Sequence, residues 1–144
     1  MQVYEVLDQL LFIGGQTAGL TLEEKLPSLQ KLNVHTIIQA TRKDDLDLPF
    51  YFPQYIKVRL LDTRPLPEDM SELWGVAQQA ARQVLEKKPV FIFCSAAKNR
   101  APFMAALTLI CRGWTPRQAL AQLREKRPGC LQFQPFVDYL EGLE

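Results

Sequence analysis

A thiol and a guanidinium bracket five residues directly after a wholly apolar run. Residues 89–102 read PVFIFCSAAKNRAP, with Cys94 and Arg100 on either side of Ser95, Ala96, Ala97, Lys98 and Asn99. The VFIF run at 90–93 is apolar at every position, the pattern of a strand covered on both faces. Residues 103–111 are apolar again and long enough for a helix enclosed on all sides. The stretch therefore predicts a central strand, a tight loop and a buried helix, with Arg100 at the helix mouth. Main-chain N–H groups of such a turn, together with the unpaired donors of the first helical turn, converge on an anion. Arg100 adds a planar fork that matches two phosphate oxygens, which lysine cannot copy. The same positive surroundings favour the thiolate form of Cys94, and thiolate is the nucleophile.

Cys-x5-Arg behind a buried strand resembles the active-site loop of the cysteine-based protein tyrosine phosphatases, whose usual form is His-Cys-x-x-Gly-x-x-Arg-Ser/Thr. The small size and the flanking segments resemble the dual-specificity branch, over nearly the whole chain. The resemblance implies an α/β fold: a central, mostly parallel sheet flanked by helices in three layers. It implies Cys94 as nucleophile, Arg100 as the phosphate-holding guanidinium, and Ser95, Ala96, Ala97, Lys98, Asn99 and Arg100 as the substrate-binding loop. No metal or other cofactor is implied, since the loop and Arg100 stabilise the transferring group. The loop departs from the family form at three places. Phe93 stands for His, Ala97 for Gly and Ala101 for Ser or Thr. Ala101 lacks a hydroxyl that in the family bonds the thiolate, and a hydrogen bond to a charged group is worth roughly 1.5–3 kcal/mol. Ala97 is costly if its backbone needs φ > 0, by about 1–2 kcal/mol. Asn99 tolerates the left-handed region and suits the turn. The expectation is a weakened hydrolase site, with a pseudophosphatase that binds phosphorylated partners as the alternative. A rhodanese-like sulfurtransferase, which also carries a Cys on a strand-end loop, is a distant third.

The upstream acid follows from the segment YIKVRLL at 55–61, which reads as a strand delivering Asp62 at its end, before the proline-bounded loop 62–67. In the dual-specificity family an Asp after this strand protonates the leaving oxygen and then activates water. The plain account, in which Asp62 only caps the following turn, remains beside it.

The other segments predict structure. Residues 4–6 and 11–13 are short β-like runs, and Gly14-Gly15 reads as a turn. LFIGGQTAGL resembles the opening strand and turn of the dual-specificity enzymes, and an edge hairpin fits it equally well. Thr21 can cap a helix bearing Glu23 and Glu24, with Leu22, Leu26, Leu29 and Leu32 on one face. Pro27 argues for a later start. VHTIIQA at 34–40 reads as a buried strand, and the lone histidine, His35, as structural rather than catalytic. Arg42, Lys43, Asp44 and Asp45 then fall where the substrate rim of a parallel sheet would lie, or form an ordinary solvated loop. Residues 67–88 predict a long helix with Leu73, Val76, Ala77, Ala80, Ala81 and Val84 inward. Gly113 stops the buried helix, and Thr115-Pro116 starts another that Pro128-Gly129 ends. A last helix follows at 133–143. GWTPRQALAQLREKRPG resembles the helix pair that closes the dual-specificity domain.

With 144 residues, the chain fits one domain over 1–144. A net charge of +1 gives no bulk field for nucleic acid or a membrane surface. No apolar run approaches the ~20 residues of a membrane span. Three cysteines, odd in number and without a signal peptide, point to a reducing, cytoplasmic setting. One histidine and scattered cysteines match no familiar zinc spacing. Cys111 and Cys130 read as small buried hydrophobes. The expected partner is a phosphorylated protein or small phosphorylated molecule, met by a monomer with a shallow pocket.

Overall fold

The computed structural model describes residues 2–15, 22–41, 51–60, 62 and 64–144. In chain order these form β1 (Gln2–Leu7), β2 (Leu11–Gly15), α1 (Leu22–Lys31), β3 (Thr36–Gln39), β4 (Gln54–Lys57), α2 (Ser71–Leu85), β5 (Val90–Phe93), α3 (Arg100–Cys111), α4 (Pro116–Lys126) and α5 (Gln134–Glu141). The five strands make one sheet in the order β1-β2-β5-β3-β4. Only the β1/β2 pair is antiparallel; β2/β5, β5/β3 and β3/β4 are parallel.

The apolar run at 90–93 occupies the middle of that sheet because both of its faces are hydrophobic. Ile92 lies between Ile13 and Ile38, and Phe91 lies between Phe12 and Ile37. Alternate side chains leave opposite faces of a strand, so these two rows belong to different layers. The isoleucine row packs with the buried side chains of α2, α3, α4 and α5. The Phe12–Phe91–Ile37 row packs with Leu29 of α1, Val34 and Phe52. This is the three-layer α/β arrangement expected from the sequence. α3 lies within the thicker layer, with every residue from Arg100 to Leu109 buried. Its one buried hydroxyl, Thr108 Oγ1, donates to the Met104 carbonyl at 2.8 Å.

Helix signals hold where they are local. All six residues assigned to the inner face of α2 are buried. Gly113 takes φ 97°, and Thr115 and Gln118 form a reciprocal capping box ahead of Pro116, a cap worth about 1 kcal/mol. Leu29 is buried, with Leu26 and Leu32 packed beside it.

Other boundaries differ from expectation. Gly14 and Gly15 continue β2 instead of turning. An ideal Cβ on Gly14 would sit 2.5 Å from the Phe91 ring, so glycine admits the neighbouring aromatic side chain. Pro27 lies inside α1, which starts before it; a proline there forfeits one helix hydrogen bond, and the leucine face still docks. β4 stops at Lys57, short of the predicted strand. β3, its one partner among the described residues, ends at Gln39, whose carbonyl takes a last bond from Val58 N at 2.8 Å. α2 begins at Ser71 rather than at Pro67, after Asp69 Oδ1 accepts the Ser71 amide at 2.9 Å. α5 likewise runs over Gln134–Glu141, shorter than the predicted 133–143. Thr21 and residues 42–45 lie outside the described residues. Among the described residues, no helix is long and apolar enough to cross a membrane.

Cys130 is fully buried and its thiol donates to the Leu123 carbonyl at 3.3 Å. Burial pushes its pKa up to about 11. Cys130 is therefore expected to stay unmodified by iodoacetamide at pH 8 while the chain is folded, and to react fully in denaturant, by peptide mass spectrometry. Labelling in the folded protein as fast as in denaturant would contradict this placement.

Candidate active site

β5 delivers Cys94 to the carboxyl edge of the sheet and holds it there. The Cys94 amide donates to the Gly14 carbonyl at 3.1 Å, and the Phe93 carbonyl accepts from Ala40 N at 2.8 Å. Cys94 is 3 % exposed, and its Sγ accepts a bond from the Ala101 amide at 3.4 Å. Ala101 is the second residue of α3, whose first N–H groups have no intrahelical partner. The sulfur thus sits on the positive end of a buried helix, where negative charge is favoured.

The loop between Cys94 and Arg100 turns on Ala97. Its φ is 53°, in the left-handed region that disfavours a Cβ by about 1–2 kcal/mol. This is the strain foreseen for Ala at the family's Gly position. Asn99, in contrast, has φ −128° and does not supply the left-handed residue. Its side chain does a different job. Asn99 is 8 % exposed, and its Oδ1 accepts the amides of Gln132 and Phe133, each at 3.0 Å. The Lys98 carbonyl accepts the Leu131 amide at 2.7 Å. Ala97 is buried; Ser95, Ala96 and Lys98 are exposed.

Gly15 is a contributor that sequence reasoning missed. A Cβ there would lie 2.9 Å from the Ala96 carbonyl carbon and 3.0 Å from the Ala97 nitrogen, so only glycine lets β2 underlie the loop this closely. The signal was present: glycine inside a strand pattern often marks close backbone approach.

Arg100 is buried at the start of α3. Its Nη2 donates to Ser95 Oγ at 3.2 Å, and Ser95 Oγ is 3.5 Å from Thr41 Oγ1. Its Nε makes no hydrogen bond among the described residues and lies 3.9 Å from Asp62 Oδ1. The Asp62 side chain is 53 % exposed, so that ion pair contributes at most about 1 kcal/mol. Its interest is chemical, because it brings a carboxylate to the guanidinium from a loop remote in sequence. Asp62 is not at a strand end as expected. It sits in a turn beyond the end of β4. The structure still gathers Cys94, Arg100 and Asp62 at one sheet edge, where parallel α/β sheets bind ligands.

His35 stands at the opposite end of the sheet, just before β3. Its Nδ1 is 2.9 Å from Thr36 Oγ1, and burial and then Lys88 lower its pKa. It has no part in this site. Trp74, on α2, donates through Nε1 to Tyr139 Oη at 2.8 Å and ties α2 to α5.

No family model and no curated protein matches the chain in sequence. Solved structures match it throughout. Human DUSP28 superposes with a TM-score of 0.81 at 16% identity, covering 99% of this chain and 92% of its own. The fold is that of the dual-specificity phosphatases. Human tyrosine phosphatase-like serine/threonine/tyrosine-interacting protein gives 0.75 at 20% identity, covering 98% and 94%. The PTP-2 phosphatase of Cydia pomonella gives 0.77 at 18% identity, covering 97% and 88%. At such identities the likeness is one of fold. Cys94 to Arg100 follow β5 and lead into α3 in this fold.

Proposed function

We propose that this chain is a cysteine-dependent phosphomonoester hydrolase of the dual-specificity type, acting on a phosphorylated protein or small phosphorylated molecule. The observation that carries the proposal is the Ala101 amide bonded to the Cys94 sulfur, with a buried Arg100 holding an unused Nε–H toward Asp62. In the first step Sγ attacks phosphorus in line. The S–P bond forms as the ester P–O bond breaks, and the Asp62 carboxyl gives its proton to the departing oxygen. In the second step the Asp62 carboxylate takes a proton from water. The new O–P bond forms, the S–P bond breaks and Cys94 returns to thiolate. Arg100 and the loop amides hold the equatorial oxygens, whose charge they stabilise most in the transition state.

A phosphocysteine at Cys94, trapped by acid quench during para-nitrophenyl phosphate turnover and mapped by mass spectrometry, tests the assignment. Turnover with no phosphate on Cys94 would refute it. Asp62→Ala is expected to lower kcat/KM, which reports the first step alone, only about tenfold on this substrate, below the usual range for a general acid, because nitrophenolate leaves with little help. On a phenyl phosphate, whose leaving oxygen is more basic, the loss should be larger. Equal losses on both esters would remove Asp62 from the acid role.

A second reading has its own support. The Ala97 strain and the absent hydroxyl at Ala101 suit a module that binds phosphorylated partners without efficient turnover. The combined change Phe93→His, Ala97→Gly, Ala101→Ser separates the two. A silent native protein with an active revertant supports the binding module.

A further inference from the structure

Three consecutive amides of the segment between α4 and α5 point at two consecutive residues of the site loop. Leu131 N donates to the Lys98 carbonyl at 2.7 Å, and Gln132 N and Phe133 N share Asn99 Oδ1 at 3.0 Å each. The segment is itself held in place. Leu131 is fully buried with φ 56°, its carbonyl accepts from Arg124 Nη2 at 3.0 Å, and Phe133 packs edge-on against Phe136 with ring centroids 4.9 Å apart. On the loop side, Asn99 precedes α3 and its carbonyl accepts the Phe103 amide at 2.9 Å. Asn99 makes no side-chain cap to its own helix; its carboxamide oxygen takes two amides of the neighbouring segment instead.

We infer that Asn99 is a positioning residue: with the 131–133 amides it clamps the site loop closed against the strain at Ala97. This rests on the hydrolase reading only in naming the ligand as a phosphate-like oxyanion. The physical case is one of opposed terms. A left-handed alanine favours an opened loop, and the two bonds to a buried carboxamide oxygen favour the closed one. The clamp lies two residues past the strained position and two before the amide that reaches the Cys94 sulfur. Releasing it frees the loop to relax at Ala97 and withdraws the Ala101 amide from Sγ. A glycine at position 97 carries no such strain, so the site would then need the clamp far less. The dependence of the site on Asn99 is accordingly a property of this chain's Ala97.

The test is a mutant cycle in the full chain, read by orthovanadate affinity and by the exchange rate of the Ala101 amide in NMR, neither of which needs turnover. Asn99→Ala is expected to weaken orthovanadate binding about tenfold and to speed Ala101 exchange by a similar factor, as the closed population falls. Asn99→Asp, which keeps both acceptor bonds, should hold the Ala101 exchange rate within about threefold of native, its added charge opposing orthovanadate directly. In the Ala97→Gly background, Asn99→Ala should change either readout by less than about threefold, the signature of coupled sites. Native values in a folded Asn99→Ala protein would overturn the inference. So would an undiminished Asn99→Ala effect in the Ala97→Gly background, and this second comparison decides the matter if Asn99→Ala alone does not fold. A native protein that binds orthovanadate and protects the Ala101 amide but hydrolyses nothing would defeat the hydrolase reading and leave the clamp standing.

Discussion

Cys94→Ser is expected to reduce turnover of para-nitrophenyl phosphate at least about a thousandfold, to the level of the uncatalysed reaction, while leaving the fold intact. Serine is nearly isosteric at a site 3 % exposed, and the hydroxyl can still accept the Ala101 amide. What is lost is the nucleophile, because a hydroxyl oxygen attacks phosphorus far more weakly than the sulfur that the mechanism uses. The only histidine, the usual base for a serine nucleophile, sits at the far end of the sheet. The measurement is kcat in matched preparations with unchanged circular dichroism, alongside affinity for inorganic phosphate, which makes no bond to the nucleophile and should survive within a few-fold. Cys111→Ser is the control. That residue ends α3, away from the loop, and its substitution should leave kcat unaltered. A Cys94→Ser protein retaining more than a tenth of native turnover would place the nucleophile elsewhere.

Arg100→Lys is expected to cost about a hundred- to a thousandfold in kcat/KM, with both a raised KM and a lowered kcat. Arg100 is 7 % exposed, and its guanidinium spans from Ser95 Oγ, 3.2 Å from Nη2, to within 3.9 Å of Asp62 at Nε. A planar fork can do this and still offer two parallel N–H groups to an oxyanion. An ammonium is a single point donor on a flexible stem. It must either abandon Ser95 or leave one equatorial oxygen unpaired, and the loss falls on the transition state, where those oxygens carry the most charge. A change confined to KM would mean that Arg100 binds ground state and transition state equally and does not assist the chemical step.

How far the site was legible in the sequence depended on the range of the interactions involved. The 90–93 strand, the buried face of α2 and the helix cap at Thr115 were all readable, since period, propensity and side-chain-to-backbone caps act over a few residues. Ala97 was readable as a conditional. The sequence said what a left-handed alanine would cost, and the backbone supplied the φ of 53°. Gly14 and Gly15 were misjudged as a turn because their meaning lies in Phe91 and Ala96, which approach from another strand and from the loop. β4 was overextended because its end is set by the end of β3. Asn99 was credited with backbone tolerance when its carboxamide was the working part, and its partners lie beyond two intervening helices.

The residue order alone determined that a thiol would leave a doubly buried strand and meet the start of a buried helix, because apolar patterning and the placement of Cys94 and Arg100 are one-dimensional facts. Only the tertiary structure decided whether that loop closes. β2 lies against Ala96 without a Cβ at Gly15, the Asp62 turn comes within 3.9 Å of Arg100, and the amides of Leu131, Gln132 and Phe133 find Lys98 and Asn99. These are contacts between segments far apart in the chain. Their free energy comes from packing and buried hydrogen bonds that form only once the sheet and its helices are assembled.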